Sequence, residues 1–124
     1  MKSFPNNRTV LFQSQQLATL PPVINDAQRY LDAHFTESIS IAEVASRFFY
    51  TREHLSRLFR RYLNITITEY LAYRRISYSC QLMKSDATLA DICYQSGFNS
   101  LSTFIRTFKQ VTGVTPSVYR KNLN

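Results

Sequence analysis

From Val23 the apolar residues Val23, Ile24, Ala27, Tyr30, Leu31 and Phe35 recur at spacings of three and four, leaving Asp26, Arg29 and Asp32 on the other side. That period marks an amphipathic helix, and Pro22 suits its first turn because proline's fixed φ matches helix entry. The next stripe opens with Ser40-Ile-Ala-Glu43, in which a hydroxyl and a carboxylate can satisfy each other's backbone N–H groups. It predicts a second helix running to about Phe48. Thr51 reads as the cap of a third helix, with Leu55, Leu58, Phe59 and Tyr62 inward. Thr66-Ile-Thr-Glu69 starts a long fourth helix reaching about Lys84, and Thr88-Leu-Ala-Asp91 opens a fifth. Ser100 caps a sixth, with Leu101, Phe104, Phe108 and Val111 inward, and Thr115-Pro116 marks a short last helix. No alternating period-two run of useful length occurs. The expected fold is all-α, with seven helices.

Two of these stretches repeat. Ile41 to Ala45 face Leu89 to Cys93 at an offset of 48, while Arg57, Phe59, Thr66 and Tyr70 face Arg106, Phe108, Thr115 and Tyr119 at an offset of 49. Each copy holds a short helix, a tight turn and a second helix with basic residues outside, which is a helix-turn-helix used twice. The offset changes between Phe98 and Ser100, so the second turn is one residue longer. The first motif covers about 40–62, the linker helix about 67–84 and the second motif about 88–111. Eighteen residues of linker helix span roughly 27 Å at 1.5 Å each, against roughly 34 Å between successive major grooves on one face of DNA. Residues 1–22, with polar Asn, Gln and Ser, three prolines and no period, read as a flexible linker or tail before a domain of residues 23–124.

Charge turns this helical plan towards a polyanion. The 124 residues carry 15 Lys and Arg against 8 Asp and Glu, a net charge of +7. The excess is spread along the chain, +2 in residues 1–22, +3 in 23–84 and +2 in 85–124. Cys80, Cys93, His34 and His54 show no CxxC or HxxxH spacing, so neither a metal site nor a cofactor is expected. With only Gly97 and Gly113 there is no glycine-rich phosphate loop, and no Ser, His and Asp grouping stands out. Enzymatic activity is therefore not expected. Without an apolar run of signal-peptide or membrane-spanning length, the expectation is a cytoplasmic chain with no membrane partner.

The chemistry falls on the outer faces of the third and sixth helices. Removing core positions leaves Arg52, Glu53, Ser56, Arg57, Arg60 and Arg61 on one, and Ser102, Thr103, Ile105, Arg106, Lys109 and Gln110 on the other. Arg57 and Arg106 are base-reading candidates, since a guanidinium can bond guanine O6 and N7 together. Glu53 could accept from a cytosine amino group, and Ser56 and Ile105 could touch a base edge or a thymine methyl. Arg60, Arg61 and Lys109 lie where phosphate contact is expected, and Arg52 joins them as a backbone contact. A charged outer face on an isolated helix is usually only solvated; its recurrence in the second motif is what favours DNA. Arg74 and Arg75 either bind phosphate or pair with Glu69 and Asp91 inside the fold. Tyr70 and Tyr119 read as packing residues and His54 as surface polarity. The rival reading is a basic helical adaptor that meets an acidic protein.

Three segments carry a family resemblance: IAEVASRFFYTREHLSRLFRR, YRRISYSCQLMKSDATLADICYQSGF and STFIRTFKQVTGVTPSVYR. Together they resemble the AraC/XylS transcription regulators over roughly residues 23–121, most specifically at Gly97-Phe98, Phe104 to Lys109, Gly113 to Pro116 and Tyr119-Arg120. The resemblance implies two helix-turn-helix subdomains joined by a long linker helix, and binding of adjacent major grooves of double-stranded DNA by one chain. It also implies bacterial transcription control, most often activation through contact with RNA polymerase. Its base-contact positions fall on Glu53, Ser56 and Arg57, and on Leu101, Ser102, Ile105 and Arg106. A small-molecule effector is implied only if an upstream sensing domain is missing from this chain. Phe49 departs from the family's usual glycine, and a bulky residue there predicts either another turn geometry or a slightly longer second helix. Leu101 and Ser102 stand where longer polar side chains could reach bases, so the second motif is expected to read less sequence or to rely on DNA shape.

Overall fold

Residues 20–123 are described by a computed structural model, and among them seven α-helices and no strand are found. They are α1 (Pro22–His34), α2 (Ile41–Arg47), α3 (Arg52–Leu63), α4 (Ile67–Leu82), α5 (Leu89–Gln95), α6 (Leu101–Thr112) and α7 (Pro116–Lys121). The expected tail, residues 1–22, lies almost wholly outside the described residues. No described helix is long and apolar enough to cross a membrane.

The helix starts follow the capping chemistry read from the sequence. Ser40 accepts from the Glu43 backbone N–H at 3.0 Å, and the Glu43 carboxylate accepts from the Ser40 N–H at 3.4 Å. The Thr66 and Glu69 pair closes the same way at 3.0 and 3.1 Å. Thr51, Thr88, Ser100 and Thr115 cap α3, α5, α6 and α7. Each satisfied N–H removes one orphan donor from a helix start, worth about 1 kcal/mol.

The chain divides into two compact units. The first takes the described residues up to His34 together with Ile39–Leu71. In it α1 packs on α2 and α3, which pack on each other, burying Ile24, Leu31, Val44, Leu55, Phe59 and Leu63. Tyr70 meets the Phe59 ring edge-on at 5.7 Å and donates its hydroxyl proton to Asp32. The second unit joins Phe35–Ser38 to the chain from Ala72 onward. Its core holds Ile76, Met83, Ile92, Cys93, Phe98, Phe104 and Phe108. Successive ring contacts at 5.3, 5.7 and 5.4 Å link Phe98, Phe104, Phe108 and Tyr119. Tyr70 and Tyr119 are thus packing residues. Helix α4 contributes to both units, the division falling between Leu71 and Ala72.

Four expectations need correction. Tyr62 is 37% exposed, with the Arg61 guanidinium 5.6 Å from its ring centre, and Leu63 is the buried residue of that turn. Leu101 is also 37% exposed although periodicity placed it inward. Both stand at the edge of an apolar stripe, where a helix of 3.6 residues per turn drifts off the core. Phe49 neither extends α2 nor changes the turn. It sits at φ +63°, almost fully exposed, in the bond pattern that Gly97 uses at φ +102°. Phe49 N–H donates to Ser46 O at 3.1 Å and Tyr50 N–H to Ala45 O at 2.9 Å; Gly97 and Phe98 donate to Tyr94 O and Cys93 O, both at 3.1 Å. The bonds closing the turn outweigh the left-handed strain on a non-glycine residue, about 1–2 kcal/mol.

Arg75 supplies the fourth correction. It donates from Nε to Phe35 O at 2.6 Å and from Nη2 to Glu37 O at 3.0 Å, so it satisfies backbone carbonyls rather than phosphate or Asp91. Burial pulls its pKa below the ordinary arginine value. Arg74 lies 5.0 Å from the Phe35 ring centre. Arg120 repeats the grip, donating to Met83 O at 3.3 Å and Ser85 O at 2.6 Å. The gripped carbonyls stand 48 residues apart, at the repeat's own offset.

Candidate nucleic-acid interface

Helices α3 and α6 are built to one plan. Each has 12 residues, begins at a hydroxyl cap (Thr51, Ser100) and ends at a left-handed residue, Asn64 at φ +61° or Gly113 at φ +89°. Each buries an aromatic stripe, Phe59 in α3 and Phe104 and Phe108 in α6. Anchoring one face this way fixes which side chains turn outward.

On α3, Arg52, Glu53, Arg57, Arg60 and Arg61 are exposed and Ser56 is half-buried. A groove of about 740 Å³ in the first unit gathers Arg52, Ser56, Arg57, Arg60 and Arg61 beside Thr68 from the start of α4. Glu53 does not line it. His54 does, resting 4.9 Å from the Tyr50 ring, so a residue read from the sequence as plain surface stands within the basic groove. Thr66 and Thr68 also reach it, and sequence reading missed both. Thr66 was legible only as a cap, and nothing local to Thr68 signals that α4 starts beside α3.

On α6, Leu101, Ser102, Ile105, Arg106 and Lys109 are all exposed. Ser102 lies 3.3 Å, hydroxyl to hydroxyl, from Ser100, whose own hydroxyl caps the helix through the Thr103 N–H at 3.1 Å. Among the described residues, Arg57, Arg60, Arg106 and Lys109 have no ion-pair partner. Unneutralised cations at matching places on two outward helix faces create a local positive potential. They can exchange water for phosphate or base acceptors without first breaking a salt bridge.

Known proteins share this construction. A family model described as a helix-turn-helix domain matches residues 44–122. The probable transcription factor PqrA of Proteus vulgaris is 33% identical over 103 residues, covering 81% of this chain and 84% of that protein. An uncharacterized HTH-type transcriptional regulator of Staphylococcus aureus is 33% identical over 110 residues, 88% of this chain; the chain spans only 15% of that protein's length. Among solved structures, the C-terminal domain of AraT, a response regulator of Geobacillus stearothermophilus, superposes with a TM-score of 0.79 at 25% identity, covering 83% of this chain and 87% of that one. The DNA-binding domain of AdpA, solved with a target DNA, gives a TM-score of 0.76 at 20% identity, covering 82% and 93%, and so shares the fold. The chain belongs to the AraC/XylS family of helix-turn-helix DNA-binding transcription regulators.

Proposed function

We propose that this chain binds double-stranded DNA at a specific sequence, α3 and α6 each entering a major-groove segment of one site and together controlling transcription. The observation that carries the reading is the register of the two faces. Arg57 and Arg106 are exposed, lack ion-pair partners among the described residues, and stand at the same place on two identically capped helices. In this reading Arg57 and Arg106 bond guanine edges, while Glu53, Ser56, Leu101, Ser102 and Ile105 complete the base contacts. Arg52, Arg60, Arg61 and Lys109 neutralise phosphates. The setting is the cytoplasm, and regulation is activation through RNA polymerase, which a promoter fusion with and without the chain checks.

The test begins with labelled duplexes selected from a random library by the purified chain, then titrated against random-sequence competitor. A strong preference for the selected duplex is expected. Equal binding to all duplexes, or none, would instead fit a basic adaptor for an acidic protein. Where a preference exists, Arg57→Ala should relax it at one position of one half-site.

A further inference from the structure

The two outward faces match in register and differ in chemistry. At the offset of 49, Arg52 and Ser56 of α3 correspond to Leu101 and Ile105 of α6. Leu101 and Ile105 stand four residues apart, one helical turn, and so share a face; they are 37% and 38% exposed. Phe104 and Phe108 are the residues that α6 buries completely, and Leu101 and Ile105 sit beside them at the solvent edge of that stripe, next to the polar face. Their flanks are Ser102 and Arg106, with Lys109 one turn beyond Arg106. An apolar pair set among a hydroxyl and two cations suits a surface that is anionic at its rim and offers apolar groups within. The major groove has that character wherever thymine presents its 5-methyl group.

The geometry points to α6 reading thymine: we infer that Leu101 and Ile105 pack on thymine 5-methyl groups in the half-site where Arg106 bonds a guanine. This rests on the DNA-binding reading above and gives that site a base composition. The second half-site contains thymines at the two positions facing Leu101 and Ile105, whereas α3, with Arg52, Glu53, Ser56 and Arg57, selects through polar edges. Each buried methyl group contributes about fourfold in affinity, so the pair contributes roughly tenfold or somewhat more.

The test uses the full chain and the duplex it selects from a random library. Each thymine is replaced in turn by deoxyuridine, which keeps the base-pairing and hydrogen-bonding edges and lacks only the methyl group. Two positions in the half-site sensitive to Arg106→Ala should each weaken binding about fourfold. In Ile105→Ser one of those losses should vanish, and in Leu101→Ser the other. Thermal unfolding should show both variants still folded at the temperature of the binding assay, which separates a lost base contact from a lost fold. Deoxyuridine that binds as well as thymine throughout that half-site would overturn the inference while leaving sequence-specific binding in place. So would losses that persist in both serine variants, or equal methyl sensitivity in the half-site that responds to Arg57→Ala. If no duplex is enriched at all, the DNA reading fails and this inference fails with it.

Discussion

The turn at Phe49 and the turn at Gly97 close with the same pair of backbone bonds, yet they tolerate side chains very differently. Around Phe49 there is open solvent, and a phenyl ring fits there at the cost of backbone strain alone. At Gly97 an added Cβ would stand 2.7 Å from Phe35 O and 2.9 Å from Arg75 Nε, inside the grip that Arg75 makes on Phe35–Ser38. A repeated motif thus carries two kinds of glycine position. In the first copy the backbone angle matters; in the second the space matters as well. The same division runs through α3 and α6, which share length, hydroxyl N-caps and a buried aromatic face while their outer faces differ in polarity.

Gly97→Ala is the sharpest way to break this comparison. Strain at φ +102° adds to a clash with backbone that cannot rotate aside, so a loss of about 3 kcal/mol is expected in denaturant unfolding. A variant as stable as the parent would show that the grip yields. The proposed base-reading faces come next. Arg57→Ala and Arg106→Ala should each cost roughly 1–3 kcal/mol on the selected duplex, with specificity relaxed in different half-sites. If both relax the same position, the assignment of one helix to each half-site is wrong. Lys109→Ala should weaken selected and random duplexes alike, lowering the slope of log K against log salt by about 0.9; an unchanged slope removes Lys109 from the phosphate contacts. The smallest effect has the opposite sign. Phe49→Gly relieves about 1–2 kcal/mol of left-handed strain and adds about 0.5–1 kcal/mol of backbone entropy cost, leaving a gain of about 0–1.5 kcal/mol. Hydrogen exchange should place that gain in the first unit, and a destabilised variant would mean that the exposed ring makes contacts worth more than the strain.

How far the sequence could be read depended on the range of each interaction. Capping pairs such as Ser40 with Glu43 lie three residues apart, so they and the helices they open were visible in the order of residues. The candidate faces were visible because a stripe anchored by Phe59, or by Phe104 and Phe108, dictates its opposite side. Residues at the stripe's edge were not: Tyr62 and Leu101 share the spacing of core residues, and only the neighbours across the unit decide their exposure. Arg75 was hidden for another reason. Its acceptors are backbone carbonyls 40 and 38 residues away, and a carbonyl leaves no mark in a sequence. Thr68 and His54 joined the basic groove for the same reason, since proximity of α4 to α3 is a tertiary fact. Phe49 failed the simplest rule, because a steric preference of about 1–2 kcal/mol is small beside a turn fixed by two backbone bonds.

The segment Phe35–Ser38 also gives the protein a timetable. A ribosome adding about 5–20 residues per second takes roughly 2–8 s to pass from Phe35 to Arg75, 40 residues later. Every described residue of the first unit precedes Ala72 in the chain, so its residues are all made before those that hold Phe35–Ser38. Until Arg75 has been made, the Phe35 and Glu37 carbonyls lack the guanidinium that holds them in the folded chain. The second unit therefore cannot be completed from its own continuous stretch of chain; it needs a piece made well before the rest. A pause or a nick between these two points would leave a finished first half and a second half missing its earliest strip.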